Sequence, residues 1–286
     1  MPASAVSACQ NGVPTSRTCA VARPEPAGSQ SLERGLAILS TFRSAQPLLG
    51  VSDLAREVGL SRSTTHRYVA TLAQLGYLQQ DVETKKYRLG PRVLDLGFSA
   101  INSMELRHIG SPHLEELSAA TGHTVNMAVL DGSDIVYIER CRGRGPREID
   151  LNLHVGSRLP AYCTSMGKVL LAFLPADELR ARLDTMQLTR RGPNTITARR
   201  ELLKELARVR ERGLAVNNEE LAYGLRSLAA PVRSQTGAVV AAINIAVHRS
   251  LGSMDELLEE LGPALEQTAE EIAARIGFRQ VAYDNR

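Results

Sequence analysis

A three-residue connection between two short helical segments constrains the fold of this chain more than any other feature. Gly59-Leu60-Ser61 separates a segment over residues 53–58 from a longer one over residues 62–75. A short link that contains glycine is typical of the helix-turn-helix unit, whose second helix enters the major groove of DNA. Ser52 and Ser61 stand where side-chain oxygens cap helices, so the sequence predicts one cap for each segment.

Basic and polar side chains gather around this predicted unit. Two short strands, expected over 77–80 and 86–89, enclose a polar hairpin with two lysines, which is typical of the wing that follows a recognition helix. Residues 31–93 hold nine basic side chains against five acidic ones, a balance that suits a polyanion. A three-helix bundle with a solvated basic face is the alternative. The residues expected to contact DNA are Ser61, Arg62, Ser63, Thr64, His66, Arg67, Lys85 and Lys86.

Length and element order predict two domains of α+β class. The 286 residues, 43% of them hydrophobic, are enough for two separate cores. Strands expected over 124–130, 134–140, 148–155, 214–216, 227–232 and 239–247 alternate with helices after the hairpin. The predicted organisation is a disordered tail over 1–30, a winged helix-turn-helix domain over 31–93, a linker helix over 94–105 and a second domain over 106–280.

A second candidate site follows an expected strand end at Leu159-Pro160. Cys163-Thr164-Ser165-Met166-Gly167-Lys168 opens a helix there, and the free N–H groups of a helix start favour a carboxylate or phosphate. An ordinary capped helix with a glycine for close packing is the alternative. Ser165 and Lys168 also fit the S-x-x-K pattern of penicillin-recognising enzymes. Since neither S-D-N nor K-T-G follows, a serine hydrolase is the least favoured hypothesis.

Several classes of site are not expected. No apolar run approaches the roughly 18 residues that a membrane span needs. The four cysteines lack metal-ligand spacing, which favours reduced thiols in a cytoplasmic protein. The six histidines do not assemble into a metal motif either. We therefore expect no catalytic residues, no metal and no cofactor.

The motifs occur in an order that resembles the IclR family of transcriptional regulators. They are Ser31-Leu32-Glu33-Arg34-Gly35-Leu36, Leu60-Ser61-Arg62-Ser63-Thr64-Thr65-His66-Arg67, Leu75-Gly76-Tyr77-Leu78, Leu159-Pro160-Ala161-Tyr162, Ser165-Met166-Gly167-Lys168 and Gly224-Leu225-Arg226-Ser227-Leu228-Ala229. The resemblance covers residues 31–277. It implies a winged helix-turn-helix joined by a helix to a GAF-like effector-binding domain. It also implies a homodimer or dimer of dimers on a palindromic operator in double-stranded DNA, with RNA polymerase as a further candidate partner.

The resemblance extends to a subgroup and to an effector pocket. Residues 161–167 and 220–227 are most similar to regulators of aromatic-acid breakdown through β-ketoadipate, which implies a small carboxylic acid as effector. Pocket residues of relatives that bind small keto acids fall here on Ser165, Met166, Asn217, Ser227, Asn244 and Ala246. Their departures from the small-acid pattern favour a carboxylate larger than glyoxylate. Arg140, Arg142 and Arg226 are candidate counter-cations, with surface or structural roles favoured for the first two. A DNA-binding protein without any ligand remains the alternative function.

Overall fold

The structure, a computed structural model, divides by its internal contacts into two units, Met1–Asp95 and Leu96–Arg286. It describes residues 29–43, 46–102, 105–144 and 151–284, with side chains omitted over 98–102 and from 277 onward. The tail expected over 1–30, with Cys9 and Cys19, lies outside these ranges except for its last two residues. We describe each unit by itself.

The described residues of the N-terminal unit form three complete helices and a two-stranded sheet. They are α1 (Gln30–Ser40), α2 (Val51–Glu57), α3 (Arg62–Gln74), β1 (Leu78–Gln80) and β2 (Tyr87–Leu89). The strands are antiparallel, with Leu78 opposite Leu89. One small core joins all five elements, and its buried side chains are Ile38, Leu49, Leu54, Val69, Leu78 and Tyr87. The winged helix-turn-helix predicted from the sequence is therefore the fold of this unit.

The helix ends of this unit follow local hydrogen bonds. Ser61 caps α3 as predicted, because its hydroxyl accepts a hydrogen bond from the Thr64 N–H at 3.2 Å. The cap predicted at Ser52 is wrong. Helix α2 begins two residues earlier than predicted, at Val51, and Gly50 is its N-cap. The Asp53 carboxylate accepts a hydrogen bond from the Gly50 N–H at 3.2 Å. This backbone N–H of the N-cap residue has no partner within the helix, and the Asp53 side chain supplies one.

In the residues that the structure describes, the C-terminal unit is built on one antiparallel sheet of six strands in the order β5-β4-β3-β8-β7-β6. The strands are β3 (Thr124–Asp131), β4 (Asp134–Cys141), β5 (Arg158–Pro160), β6 (Ala215–Asn218), β7 (Leu225–Arg233) and β8 (Val239–His248). The helices are α5 (Glu105–Thr121), α6 (Ser165–Ala172), α7 (Ala176–Thr185), α8 (Arg199–Arg212) and α9 (Met254–Asp284). Helix α4 (Arg92–Asn102) contains the boundary between the two units.

The two faces of this sheet carry different cores. Side chains alternate along each strand, so Val125 and Met127 face one way and Ala128 the other. Helices α5 and α9 cover the first face, and α6 covers the second. Strands and helices thus share one unit, and the predicted α+β class is confirmed.

One predicted strand is not observed in the part of it that the structure describes. A strand was expected over 148–155, but residues 151–154 have no regular structure. Residues 145–150 lie outside the described ranges. On the side of β4 away from β3 the paired strand is β5, further along the chain, with Ile135 opposite Leu159.

Candidate functional site

The N-terminal half of α3 presents a polar surface to solvent. The exposed side chains are Ser61, Arg62, Ser63, His66 and Arg67, and Thr64 is half-buried. On the opposite side of the helix, Thr65 and Val69 are fully buried. The Thr65 hydroxyl donates to the Ser61 carbonyl at 3.0 Å, which fixes the first turn. The helix therefore points its base-reading residue types outward and its apolar stripe into the core.

The hairpin between β1 and β2 has a fixed tip that carries the two lysines. Asp81 Oδ1 accepts hydrogen bonds from the Thr84 N–H at 2.8 Å and the Thr84 hydroxyl at 2.7 Å. These bonds hold the pKa of the Asp81 carboxyl below its usual value. Lys85 adopts a left-handed backbone conformation with φ of 56°, and both Lys85 and Lys86 are exposed. The turn thus presents two adjacent cations at its surface.

The cations of α3 and the hairpin are not neutralised within the described part of this unit. The ion pair found there joins Arg56 to Asp53 at 3.0 Å and involves none of them. Hydrogen bonding to Ser31, and then the charges of neighbouring arginines including Arg67, lower the pKa of Tyr68. A surface with uncompensated positive charge suits a phosphate backbone, which attracts such cations over long range.

Two neighbouring rows of side chains cross the large sheet on the face that α6 covers. One row is Asn217, Ser227, Ala246 and Thr124, on β6, β7, β8 and β3. The other row is Ala229, Asn244, Asn126 and Arg140, on β7, β8, β3 and β4. Residues two apart on a strand share a face, so the rows lie side by side. All of these residues except Ala229 line one cavity.

The remaining wall of the cavity is largely apolar. It consists of Tyr137, Leu151, Leu153, Thr164, Leu221, Leu225 and Val247. The space between the walls, including the opening, measures about 490 Å³, of which about 30 Å³ admits the centre of a water-sized sphere. That inner volume holds one or two water molecules. A larger guest therefore requires the walls to move apart.

The structure separates the six expected effector residues into two groups. Four of them line the cavity, namely Asn217, Ser227, Asn244 and Ala246. Ser165 is buried behind the wall, with its hydroxyl 2.7 Å from the Ser227 hydroxyl. Met166 is fully buried in the core between α6 and the sheet. Ser165 thus reaches the cavity only through Ser227, and Met166 is a packing residue.

The three candidate counter-cations have different environments. Arg226 donates to the Asn218 side chain at 2.9 Å and to the Arg249 carbonyl at 3.3 Å, which ties β7 to the end of β6 and to the segment after β8. Arg142 is exposed and lines a groove outside the cavity, which Arg140 also borders. Sequence analysis favoured a surface or structural role for Arg140, but the structure places it in the cavity wall. Asn126, which the sequence analysis missed, is its neighbour across the strands.

A buried ion pair lies on α6 beside the cavity. The Lys168 ammonium is 2.5 Å from Glu220 Oε1 and 3.6 Å from Glu205 Oε1, and its side chain is 1% exposed. The Lys168 side chain is thus engaged with two carboxylates and not with the Ser165 hydroxyl, which a serine hydrolase would need it to activate. The Ser165 hydroxyl is directed to Ser227 instead. This arrangement argues against the hydrolase that the S-x-x-K pattern suggested.

Cysteine chemistry and metal binding find no support in the described ranges. Burial, followed by the negative charge of Glu220, raises the pKa of the Cys163 thiol to about 12. Burial likewise raises the pKa of Cys141 to about 11, so both are protonated at neutral pH. The described residues contain no cluster of three or more potential metal ligands. None of their helices has the length and apolar character to cross a membrane.

Comparison with protein-family models matches both units. The IclR helix-turn-helix domain matches residues 31–82, and the C-terminal domain of bacterial IclR transcriptional regulators matches residues 98–274. Together these matches cover most of the chain and include α3, the hairpin start and the cavity.

Individual relatives extend over nearly the same length. The HTH-type transcriptional regulator XynR of Escherichia coli is 37% identical over 242 residues, which are 82% of this chain and 95% of that protein. The Pca regulon regulatory protein of Pseudomonas putida is 36% identical over 241 residues, covering 84% and 82%. The crystal structure of an IclR homolog from Microbacterium hydrocarbonoxydans, in complex with 4-hydroxybenzoate, is 27% identical with a TM-score of 0.73 and covers 86% and 98%.

Proposed function

The chain belongs to the IclR family of DNA-binding transcriptional regulators, and from that premise we propose that a small carboxylic acid controls its binding to an operator. The family is one of regulators rather than enzymes. The observation that carries the proposal is a polar cavity, lined by Asn217, Ser227 and Asn244, on a sheet in the same chain as an exposed basic recognition helix.

The DNA contacts that we propose come from α3 and the hairpin. In this proposal Arg62 and Arg67 contact guanine edges or phosphates, and the hydroxyl and imidazole groups beside them contact either. Lys85 and Lys86 suit phosphate or minor-groove contacts. The proposed set is Ser61, Arg62, Ser63, Thr64, His66, Arg67, Lys85 and Lys86. Contacts to phosphate would give affinity, and contacts to bases would give sequence choice.

The effector that we propose is an aromatic acid or an intermediate of β-ketoadipate metabolism. Supporting this class are a structural relative that holds 4-hydroxybenzoate and a relative named for the Pca regulon. Because XynR is about as similar to this chain as the Pca relative, the proposed class of effector depends on the cavity as well as on the relatives. We keep Ser165, Met166, Asn217, Ser227, Asn244 and Ala246 as the proposed effector set, with Ser165 acting through Ser227 and Met166 through packing.

We further propose a homodimer, or a dimer of dimers, on a palindromic operator in the cytoplasm, with RNA polymerase as a candidate partner. Helix α1 exposes Leu32 and Leu36, and α4 exposes Leu94 and Leu96, each by more than half. Exposed leucines on two helices suit a second copy of the chain. The proposed organisation is a tail over 1–30, a DNA-binding domain over 31–93, a linker helix over 94–105 and an effector domain over 106–280. The acid would act by binding one dimer arrangement better than another.

The test is the affinity of the full chain for DNA with and without acid. A labelled duplex from upstream of the gene for this chain is titrated, and its fluorescence anisotropy gives the Kd. We expect 4-hydroxybenzoate, protocatechuate or β-ketoadipate to change that Kd at least fivefold. Ala246→Phe, which fills the cavity, should lose the response, whereas Val240→Phe, at an exposed position of the same strand, should keep it. Equal Kd values with every acid would favour a regulator without a ligand.

A further inference from the structure

We propose that Arg140, Asn126 and Asn244 form a chain of hydrogen-bond donors that holds the carboxylate of the effector at one end of the cavity. The inference rests on the proposed function, since it concerns how that acid is recognised. It places the carboxylate at the sheet rather than at the start of α6. Neither Arg140 nor Asn126 belongs to the effector set that the family resemblance implies.

The three side chains are brought together by strand register. Asn126 on β3 lies opposite Arg140 on β4 and, on its other side, opposite Asn244 on β8. The Arg140 guanidinium donates from Nη1 to Asn126 Oδ1 at 2.9 Å. The Asn126 amide donates from Nδ2 to Asn244 Oδ1 at 2.7 Å. Asn126 and Asn244 are 1% and 5% exposed, so these bonds are shielded from competing water.

The direction of this chain is fixed by arginine. A guanidinium has five N–H donors and no acceptor, so the atom of Asn126 that faces it is the amide oxygen. The nitrogen of Asn126 then has to face Asn244, whose own oxygen accepts from it. Asn244 is left with its nitrogen, which makes no hydrogen bond to any residue in the described ranges. The polar end of the cavity therefore presents the Asn244 N–H₂, with the Arg140 guanidinium behind it in the same chain of hydrogen bonds.

The other amide of the wall is tied to the protein backbone. Asn217 donates to the Cys163 carbonyl at 3.2 Å and accepts from the Glu220 N–H at 2.9 Å, which engages its oxygen and one of its two N–H donors. The Ser227 hydroxyl is engaged with Ser165 at 2.7 Å. Beyond these groups the wall is mainly leucine. The expected ligand thus has a single carboxylate at one end and an apolar body at the other.

The charge of the cavity wall also favours a ligand with a carboxylate. Of the described residues that line the cavity, Arg140 carries the only charge at neutral pH, because burial raises the pKa of Tyr137 to about 12 and keeps that phenol neutral. No acidic side chain of the described ranges lines the wall. A charge-assisted N–H···O⁻ bond is about twice as strong as a neutral one. A carboxylate should therefore bind more tightly than an uncharged amide of the same shape.

The experiment compares acids with their own amides on the full chain. Isothermal titration calorimetry measures 4-hydroxybenzoate against 4-hydroxybenzamide, protocatechuate against its amide, and hexanoate against hexanamide. For the pairs that bind, we expect the acid to be preferred at least tenfold. Asn244→Asp keeps the shape of the side chain and its contact with Asn126 but replaces the outward N–H₂ by a negative oxygen. It should reduce acid binding at least tenfold and reverse the preference in favour of the amide.

The arginine is tested with a matched control. Arg140→Met should abolish the preference for the acid, whereas Arg142→Met, two positions along the same chain and outside this cavity, should leave it unchanged. Reversal in Asn244→Asp also separates a lost donor from a misfolded variant, since an unfolded protein binds neither compound. If acids bind and alter operator affinity while Arg140→Met and Asn244→Asp keep the preference, the inference fails and the proposed function stands. If no acid binds, both fail.

Discussion

Lys168→Met is expected to destabilise the C-terminal unit by about 3–5 kcal/mol at neutral pH, the cost of leaving one member of a buried ion pair alone. The Lys168 side chain is 1% exposed, and its ammonium lies 2.5 Å from Glu220 Oε1. Methionine keeps most of the volume and the apolar stem. The substitution therefore removes the charge with little loss of packing, and Glu220 remains buried without its cation.

The loss of stability in Lys168→Met should be larger at high pH than at low pH. Burial raises the pKa of Glu220 even with Lys168 beside it. The folded state thus holds that proton more tightly than the unfolded state, and stability falls as pH rises from the unfolded pKa through the folded one. Removing the ammonium raises the folded pKa further. Lys168→Met should therefore lose more stability at pH 8 than at pH 5, where protonation relieves the buried charge.

Differential scanning calorimetry of the full chain measures this effect. For a unit of about 190 residues we expect a drop in Tm on the order of 10 °C. Lys204→Met on α8 is the control, because Lys204 is 51% exposed and its pair with Glu201 is a surface contact. Combining Lys168→Met with Glu220→Gln should recover most of the loss. A drop below about 1 kcal/mol, or an equal drop at both pH values, would refute the reasoning.

Two further predictions concern helix capping and thiol chemistry. Ser61→Ala should destabilise the N-terminal unit by about 1 kcal/mol, because it removes the acceptor of the Thr64 N–H. As controls, Ser61→Asp should retain the cap and Ser63→Ala should have little effect on stability. The measurement is the circular dichroism melting curve of each variant, and equal melting of all three variants would show the prediction wrong. Cys163 is fully buried, and its thiol has a pKa of about 12. It should therefore resist iodoacetamide in the native protein at pH 8 and react after denaturation. Peptide mass spectrometry measures the alkylation, and an alkylated Cys163 in the native protein would contradict this prediction.

The helix-turn-helix could be predicted because its signals are local. The glycine link and the Ser61 cap act within four residues of the chain, and both are found in the structure. The cap predicted at Ser52 was wrong for a reason that is also local, since the Asp53 carboxylate accepts from the Gly50 N–H and makes Gly50 the N-cap of α2. The strand expected over 148–155 had no such signal to fix its partner.

The cavity was harder to predict because it depends on strand register. Asn217 and Ser227 came from family resemblance, and they are opposite each other on β6 and β7. Asn126 and Arg140 meet only because β3 pairs with β4 on one side and β8 on the other, and a single sequence does not specify that pairing. One signal was present. Thr124 and Asn126 place polar side chains on the same face of the strand predicted over 124–130.

The central claim, that α3 reads DNA, is tested most directly by operator affinity of charge-matched variants. Arg62→Ala and Arg67→Ala remove exposed cations from α3, and Lys204→Ala removes an exposed cation from α8. Anisotropy titrations should show that each α3 variant binds the operator more weakly by about 1–3 kcal/mol if its arginine reads a base, while Lys204→Ala binds as the parent does. Unchanged affinity in both α3 variants would contradict the account.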